Sequence, residues 1–151
     1  MNQNLTAYSK VHLWLKRTAS ILLVTGFIKV VSGVLFYESL IEIDLVFFKP
    51  WFLFSTALYE FVVSYMLLRS GFQTYVKLIL AFWTASAFLA AHGLFLLLKV
   101  EGCPCLGFLS KTSSGLSNTI VLLVTAYIFA GAIYYFRQEL DRGQKLDSAQ
   151  E

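Results

Sequence analysis

Two cysteines, Cys103 and Cys105, are the residues of this chain whose type and spacing could support covalent chemistry. They flank a proline in residues 101–107, which read EGCPCLG. Cysteines at i and i+2 lie near the Cα separations that a disulfide tolerates, roughly 4.4–6.8 Å, although the ring they close is small and strained. Strained, exposed disulfides are the readily reduced ones, whereas structural bridges generally close longer loops. The spacing therefore favours thiol/disulfide exchange in an oxidising compartment.

Two other interpretations of the cysteine pair stay open. A structural zinc site needs four ligands and no histidine lies in this loop, so we expect no bound metal. An inert or purely structural pair is the second alternative. Exchange itself requires an outside electron donor or acceptor, because a single pair cannot turn over alone. A thioredoxin-like partner or a membrane quinone would serve, and whether the exchange is catalytic stays open.

The cysteines lie between apolar stretches that are long enough to cross a membrane. The chain is 58% hydrophobic and 14% charged, with a mean hydropathy of +0.68, whereas roughly a quarter of residues are charged in soluble proteins. Spanning a hydrocarbon core takes about 20 apolar residues, and the runs lack the alternation of barrel strands. The four predicted spans are residues 19–37, 51–68, 78–98 and 119–136. We predict an all-α membrane protein, a four-helix transmembrane bundle in a lipid bilayer.

Basic residues predict the orientation of this bundle. Eight of the twelve lysines and arginines lie before the first span, between the second and third, or after the fourth, and three lie in the other connectors. Cytoplasmic connectors collect Lys and Arg, so both termini should be cytoplasmic and the cysteine loop outside, which in a bacterium means the inner membrane and the periplasm. The net charge of +3 then reflects topology, and we expect no nucleic-acid partner.

The spans divide the chain into three segments. Residues 1–18 form a cytoplasmic or interfacial segment with apolar residues at helical spacing. A cleaved signal peptide is disfavoured, because the first apolar run is nearer 20 residues than the usual 7–15. Residues 19–136 form the transmembrane domain. Residues 137–151 form a charged cytoplasmic tail, predicted to be disordered from about Gly143.

Lys29 and Glu60 are ionisable residues within the predicted spans. At about 1.5 Å per residue, Lys29 lies about 15 Å above the cytoplasmic start of its helix and Glu60 about 14 Å below the outer start of its own. Buried charges at similar depth usually pair, so we predict a buried ion pair. Gly26 and Gly33 flank Lys29 on a stripe of small and polar residues that permits close helix approach. The pair could fix helix register, or it could form a proton or substrate site.

His92 lies in the outer half of the third predicted span, and it is the ionisable residue within the membrane nearest in sequence to the cysteines. A lone histidine on an apolar helix is most often a hydrogen-bonded structural residue. The functional alternative is that His92 and Glu101 tune the reactivity of Cys103 and Cys105.

The order of these features resembles the MauE branch of the DoxX-like membrane proteins. The resemblance covers about residues 19–136 and is carried by the four predicted helices, residues 26–29 (GFIK), Glu60 and residues 103–107 (CPCLG). Leu106 stands where an aromatic residue is common in that family. The resemblance implies a redox-associated accessory role outside the cytoplasmic membrane.

In methylamine utilisation, members of that family are thought to assist maturation of the disulfide-rich light subunit of methylamine dehydrogenase. By resemblance, this chain would assist thiol/disulfide maturation of an extracytoplasmic partner. The alternative function is a small transporter or structural subunit in which Lys29 and Glu60 line a polar path.

Overall fold

Four helices make up the part of the chain that the structure describes. The computed structural model describes residues 2–35, 50–97 and 114–147. The helices are α1 Asn2–Leu35, α2 Pro50–Leu68, α3 Thr74–Leu97 and α4 Ser114–Asp147. Each contains a segment long and apolar enough to cross a membrane. The all-helical fold and the four candidate spans are as the sequence predicts.

The two terminal helices are longer than the predicted spans. α1 is one continuous helix of 34 residues, which extends about 51 Å. Its side chains Val11, Trp14 and Leu15, from the predicted interfacial segment, are buried inside the bundle. α4 continues past the predicted span to Asp147, so residues 143–147, where the composition predicts disorder, are helical.

The helices pack mainly in two pairs, α1 with α2 and α3 with α4. A single apolar core nevertheless takes residues from all four helices. It consists of Val11, Trp14, Leu15, Ala19, Leu22, Val63, Leu67, Leu78, Ala81, Ala85, Ile128 and Ala132. Most of these residues lie near the start of α1, the end of α2 or the start of α3, so the core fills the half of the bundle next to the α2–α3 turn.

Glycines set the spacing between α1 and α2. A Cβ atom on Gly26 would lie 3.3 Å from the backbone oxygen of Ala57 and 3.0 Å from the ring of Phe61. A Cβ atom on Gly33 would lie 3.0 Å from the ring of Phe54. Small residues let membrane helices approach closely when lipid tails supply no hydrophobic drive. The predicted small-residue stripe is therefore the contact face of α1.

The outer surface of the bundle is apolar. Phe27 is 64% exposed, Trp83 65% and Leu123 64%. Such side chains, distributed over three helices, would be unfavourable in water and suit a hydrocarbon environment. The exposed face therefore fits a multi-pass membrane protein.

Candidate functional site

A buried ion pair joins α1 to α2. Lys29 Nζ donates to Glu60 Oε1, and the two side chains are only 2% and 1% exposed. Depth counting from the sequence predicts this pairing, and the structure places the two groups in contact. A lone charge at this depth costs at least about 2.5–3.5 kcal/mol on insertion scales. Contact between opposite charges offsets that cost.

The second carboxylate oxygen of Glu60 also has a partner. Thr25 Oγ1 lies 3.2 Å from Glu60 Oε2, and 3.1 Å from the carbonyl of Leu22 in its own helix. Thr25 precedes Lys29 by four residues, so both side chains face α2. Gly26 leaves room for the carboxylate, since a Cβ atom there would lie 3.3 Å from Glu60 Oε2. One face of α1 thus supplies a cation, a hydroxyl and a gap for the glutamate.

A third helix contributes an aromatic ring to the pair. Lys29 Nζ lies 5.1 Å from the ring centroid of Phe88 on α3, within the range of a cation–π contact. Sequence reasoning missed Phe88, because an aromatic residue in an apolar helix carries no signal that marks it as a cation partner. The ammonium group is therefore enclosed by three helices.

A small cavity lies beside Glu60. Its volume is about 60 Å³, and its polar lining residues are Thr25, Glu60 and Thr125. The other seven lining residues are apolar side chains of α1, α3 and α4. Thr125 Oγ1 donates to the carbonyl of Val121, 2.7 Å away. The cavity has room for a few water molecules, but its walls are mainly hydrocarbon.

A further interhelical hydrogen bond lies one turn from Glu60. Ser64 Oγ donates to the backbone oxygen of Ala19 at 2.8 Å, and Ser64 is fully buried. Thr56, on the other side of Glu60, bonds to the carbonyls of Phe52 and Leu53 in its own helix. The hydroxyls flanking Glu60 therefore support packing and do not extend the ion pair.

His92 is buried near the outer end of α3. The side chain is 5% exposed, and its Nδ1 atom has no hydrogen-bond partner among the described residues. It follows Phe88 by one helical turn, so it lies on the same face of α3 as the ring beside Lys29. It lies five positions before Leu97, where α3 ends before the cysteine-bearing connection.

Glu101, Cys103 and Cys105 lie outside the described residues. Their assignment as an exchange site with a tuning carboxylate stays a prediction. Within the described ranges, no group of three or more His, Cys, Asp or Glu residues could hold a metal ion. The chemistry that the described residues support directly is charge neutralisation between Lys29 and Glu60.

No protein-family model, curated protein or solved structure matches this chain. Functional inference therefore rests on the residues themselves.

Proposed function

We propose that this chain is an accessory protein of the bacterial inner membrane that exchanges thiols and disulfides with an extracytoplasmic partner through Cys103 and Cys105. Both termini lie in the cytoplasm, and residues 98–113 face the periplasm. The observation that carries the proposal is the Cys-Pro-Cys sequence in the connection between α3 and α4, on the side of the bundle poorer in Lys and Arg. The resemblance to the MauE branch of DoxX-like proteins points to the same class of role.

The exchange transfers two electrons. In the oxidising direction, a client thiolate attacks the Cys103–Cys105 disulfide, and a mixed disulfide forms as one cysteine leaves as a thiolate. A second client thiolate then displaces the other cysteine, so the client gains a disulfide and the chain becomes a dithiol. The same two electrons, with two protons, pass on to the disulfide of a thioredoxin-like protein or to a membrane quinone. In the reducing direction every step is reversed.

His92 is proposed as a residue that tunes the cysteines. The His92 imidazole is buried near the outer end of α3, and its Nδ1 has no hydrogen-bond partner among the described residues, so a polar group of the cysteine-bearing connection could bond to it; thiol exchange depends on the thiolate fraction. His92→Phe should slow exchange and change its pH profile, while the bundle stays folded. His12, on α1, is a matched control, since His12→Phe should leave the exchange rate unchanged. Equal effects of the two substitutions would remove His92 from the mechanism.

The Lys29–Glu60 pair is proposed as a structural element. Each charge has its opposite at contact distance, and both carboxylate oxygens of Glu60 are bonded. Transport of a small polar solute is the second candidate function, and the cavity of about 60 Å³ next to Glu60 favours it. The mainly apolar lining of that cavity makes a continuous polar path less favourable. Replacing the pair by Met and Gln would separate these roles, since a loss of transport with normal thiol exchange would favour the transporter.

Serine substitution tests the exchange. In Cys103→Ser or Cys105→Ser, the remaining thiolate attacks a client disulfide and expels a client thiolate, and no neighbouring thiol is left to resolve the product, so we expect a mixed disulfide with the client on non-reducing gels. The double serine variant is the control and should form none. If both single variants leave the redox state of the periplasmic thiol proteins unchanged and trap no partner, the exchange function is wrong.

A further inference from the structure

A groove of about 450 Å³ runs between α1 and α4. Its α1 wall is a single face of the helix, with positions spaced i, i+3, i+4 and i+7. These positions are Lys10, Leu13, Trp14 and Arg17. The two cations therefore stand at opposite ends of this wall, about 10 Å apart along the helix axis.

The α4 wall has the same spacing. Its stripe consists of Tyr127, Ala130, Gly131 and Tyr134, with Tyr135 beside it. The nine described residues that line the groove include two cations and three tyrosines, and none of them is acidic. The groove thus combines an aromatic and apolar surface with net positive charge.

Trp14 and Gly131 join the two walls. A Cβ atom on Gly131 would lie only 2.3 Å from Trp14 Nε1, so the absence of a side chain at 131 permits this contact. Trp14 is 4% exposed, whereas Tyr134 is 58% exposed. Trp14 therefore lies at the floor of the groove and Tyr134 at its rim.

The groove lies at the level of lipid headgroups. Glu60 is near the middle of α2, ten residues after Pro50 and eight before Leu68, so the Lys29–Glu60 pair marks the middle of the membrane. Arg17 precedes Lys29 by twelve residues, or about 18 Å, and Lys10 lies about 10 Å further out. Half of the hydrocarbon core is about 15 Å. Arg17 thus reaches the boundary of the hydrocarbon, and Lys10 lies among the headgroups.

We propose that this groove binds an anionic phospholipid of the surrounding leaflet. The phosphate lies between Lys10 and Arg17, and an acyl chain follows Tyr127 toward the membrane centre. Arginine and lysine both bind phosphate, the former through paired N–H donors. Tyrosines suit the headgroup region because one end of the ring is apolar and the other polar. Basic pockets between membrane helices recognise such headgroups, and the open side of this groove adjoins the lipid-facing surface.

Neighbouring cations offer a matched test. Lys16 is exposed and adjacent to Arg17, but it does not line the groove. Binding of phosphatidylglycerol and phosphatidylcholine to the purified full-length protein in micelles would be measured by native mass spectrometry. We expect phosphatidylglycerol to bind more tightly, with Lys10→Gln and Arg17→Gln each weakening it about fivefold. Lys16→Gln should leave the affinity unchanged.

A steric variant separates the groove from general charge attraction. Ala130 is exposed and lines the groove, so Ala130→Phe would fill it and lower phosphatidylglycerol binding without changing any charge. Arg17→Lys, which keeps the charge, should retain most of the affinity. Circular dichroism would confirm that each variant is folded. Equal losses in Lys16→Gln and Arg17→Gln, normal binding in Ala130→Phe, or equal affinity for the two lipids would overturn the proposal.

Discussion

At the scale of single residues, the ion pair of Lys29 and Glu60 explains how two charges are tolerated within apolar helices. Each side chain offsets the burial of the other, and Thr25 bonds the remaining carboxylate oxygen. Removing one partner leaves an uncompensated buried charge, whereas removing both leaves none. The pair should therefore behave as a unit when it is mutated.

Lys29→Met should destabilise the protein strongly, by about 3–5 kcal/mol, because Glu60 is left as an unpaired buried charge. The double variant Lys29→Met with Glu60→Gln should lose much less free energy of unfolding. Reversible unfolding in mixed micelles gives the free energies for the cycle of single and double variants. Losses that simply add in the double variant would mean that the two side chains do not stabilise each other.

The sequence predicts this pair because helix rise converts residue number into depth. Lys29 and Glu60 fall at similar depth, and no further geometry is needed to match them. Phe88 could not be predicted, since its contact with Lys29 depends on how α3 is rotated and offset against α1. The hydrogen bond of Ser64 could not be predicted either, because its acceptor is the backbone oxygen of Ala19, and every residue has a backbone oxygen.

At the scale of helices, glycines decide which faces can approach. A Cβ atom on Gly26 would meet the backbone of Ala57 and the carboxylate of Glu60, both at 3.3 Å. At Gly93 in α3, a Cβ atom would meet nothing within 4 Å of the described residues. These two helical glycines therefore make a matched pair for substitution.

Gly26→Ala should destabilise the bundle by about 1–3 kcal/mol, because the added methyl group forces α1 away from α2. Gly93→Ala should be neutral or stabilising by up to about 1 kcal/mol, since alanine favours helix over glycine and space is free. Thermal unfolding in detergent measures both. If Gly93→Ala lowered the stability as much as Gly26→Ala, the close approach of α1 and α2 would not depend on the small-residue stripe.

The start of α1 shows where sequence reasoning falls short. Lys10, Lys16 and Arg17 resemble the flank of a span, yet the helix continues through them, and neither proline nor glycine interrupts residues 2–25. Val11 and Trp14 are buried, although the neighbouring cations Lys10, Lys16 and Arg17 are exposed. The charged residues therefore conceal in the sequence that the apolar residues between them pack inside the bundle. Trp14 can pack in this way because Gly131, on a distant part of the chain, leaves room for its ring.

At the scale of the whole molecule, charge asymmetry and helix number together predict the topology. Four spans return the chain to its starting side, and the excess of Lys and Arg near the termini and the α2–α3 turn favours the cytoplasm for that side. The apolar lengths alone suffice to predict the helices. The pairing of α1 with α2 and of α3 with α4 requires the structure, because apolar surfaces in lipid specify no partner.

Labelling with a membrane-impermeant maleimide tests this orientation. In intact, reduced cells, Cys103 and Cys105 should react from outside. Ser70 lies exposed in the α2–α3 turn, so Ser70→Cys in a background without the native cysteines should react only after the membrane is permeabilised. The reverse pattern would place the cysteine loop in the cytoplasm, where disulfides are rare.

The redox state of Cys103 and Cys105 tests the central claim most directly. Membranes quenched in acid would be alkylated with a mass-adding maleimide, before and after treatment with a thiol reductant, and resolved on gels. We expect a population in which both cysteines are blocked as an intramolecular disulfide, and this population should shift to the dithiol when a reduced client is supplied. Two thiols that stay permanently reduced under all these conditions would contradict the proposed exchange.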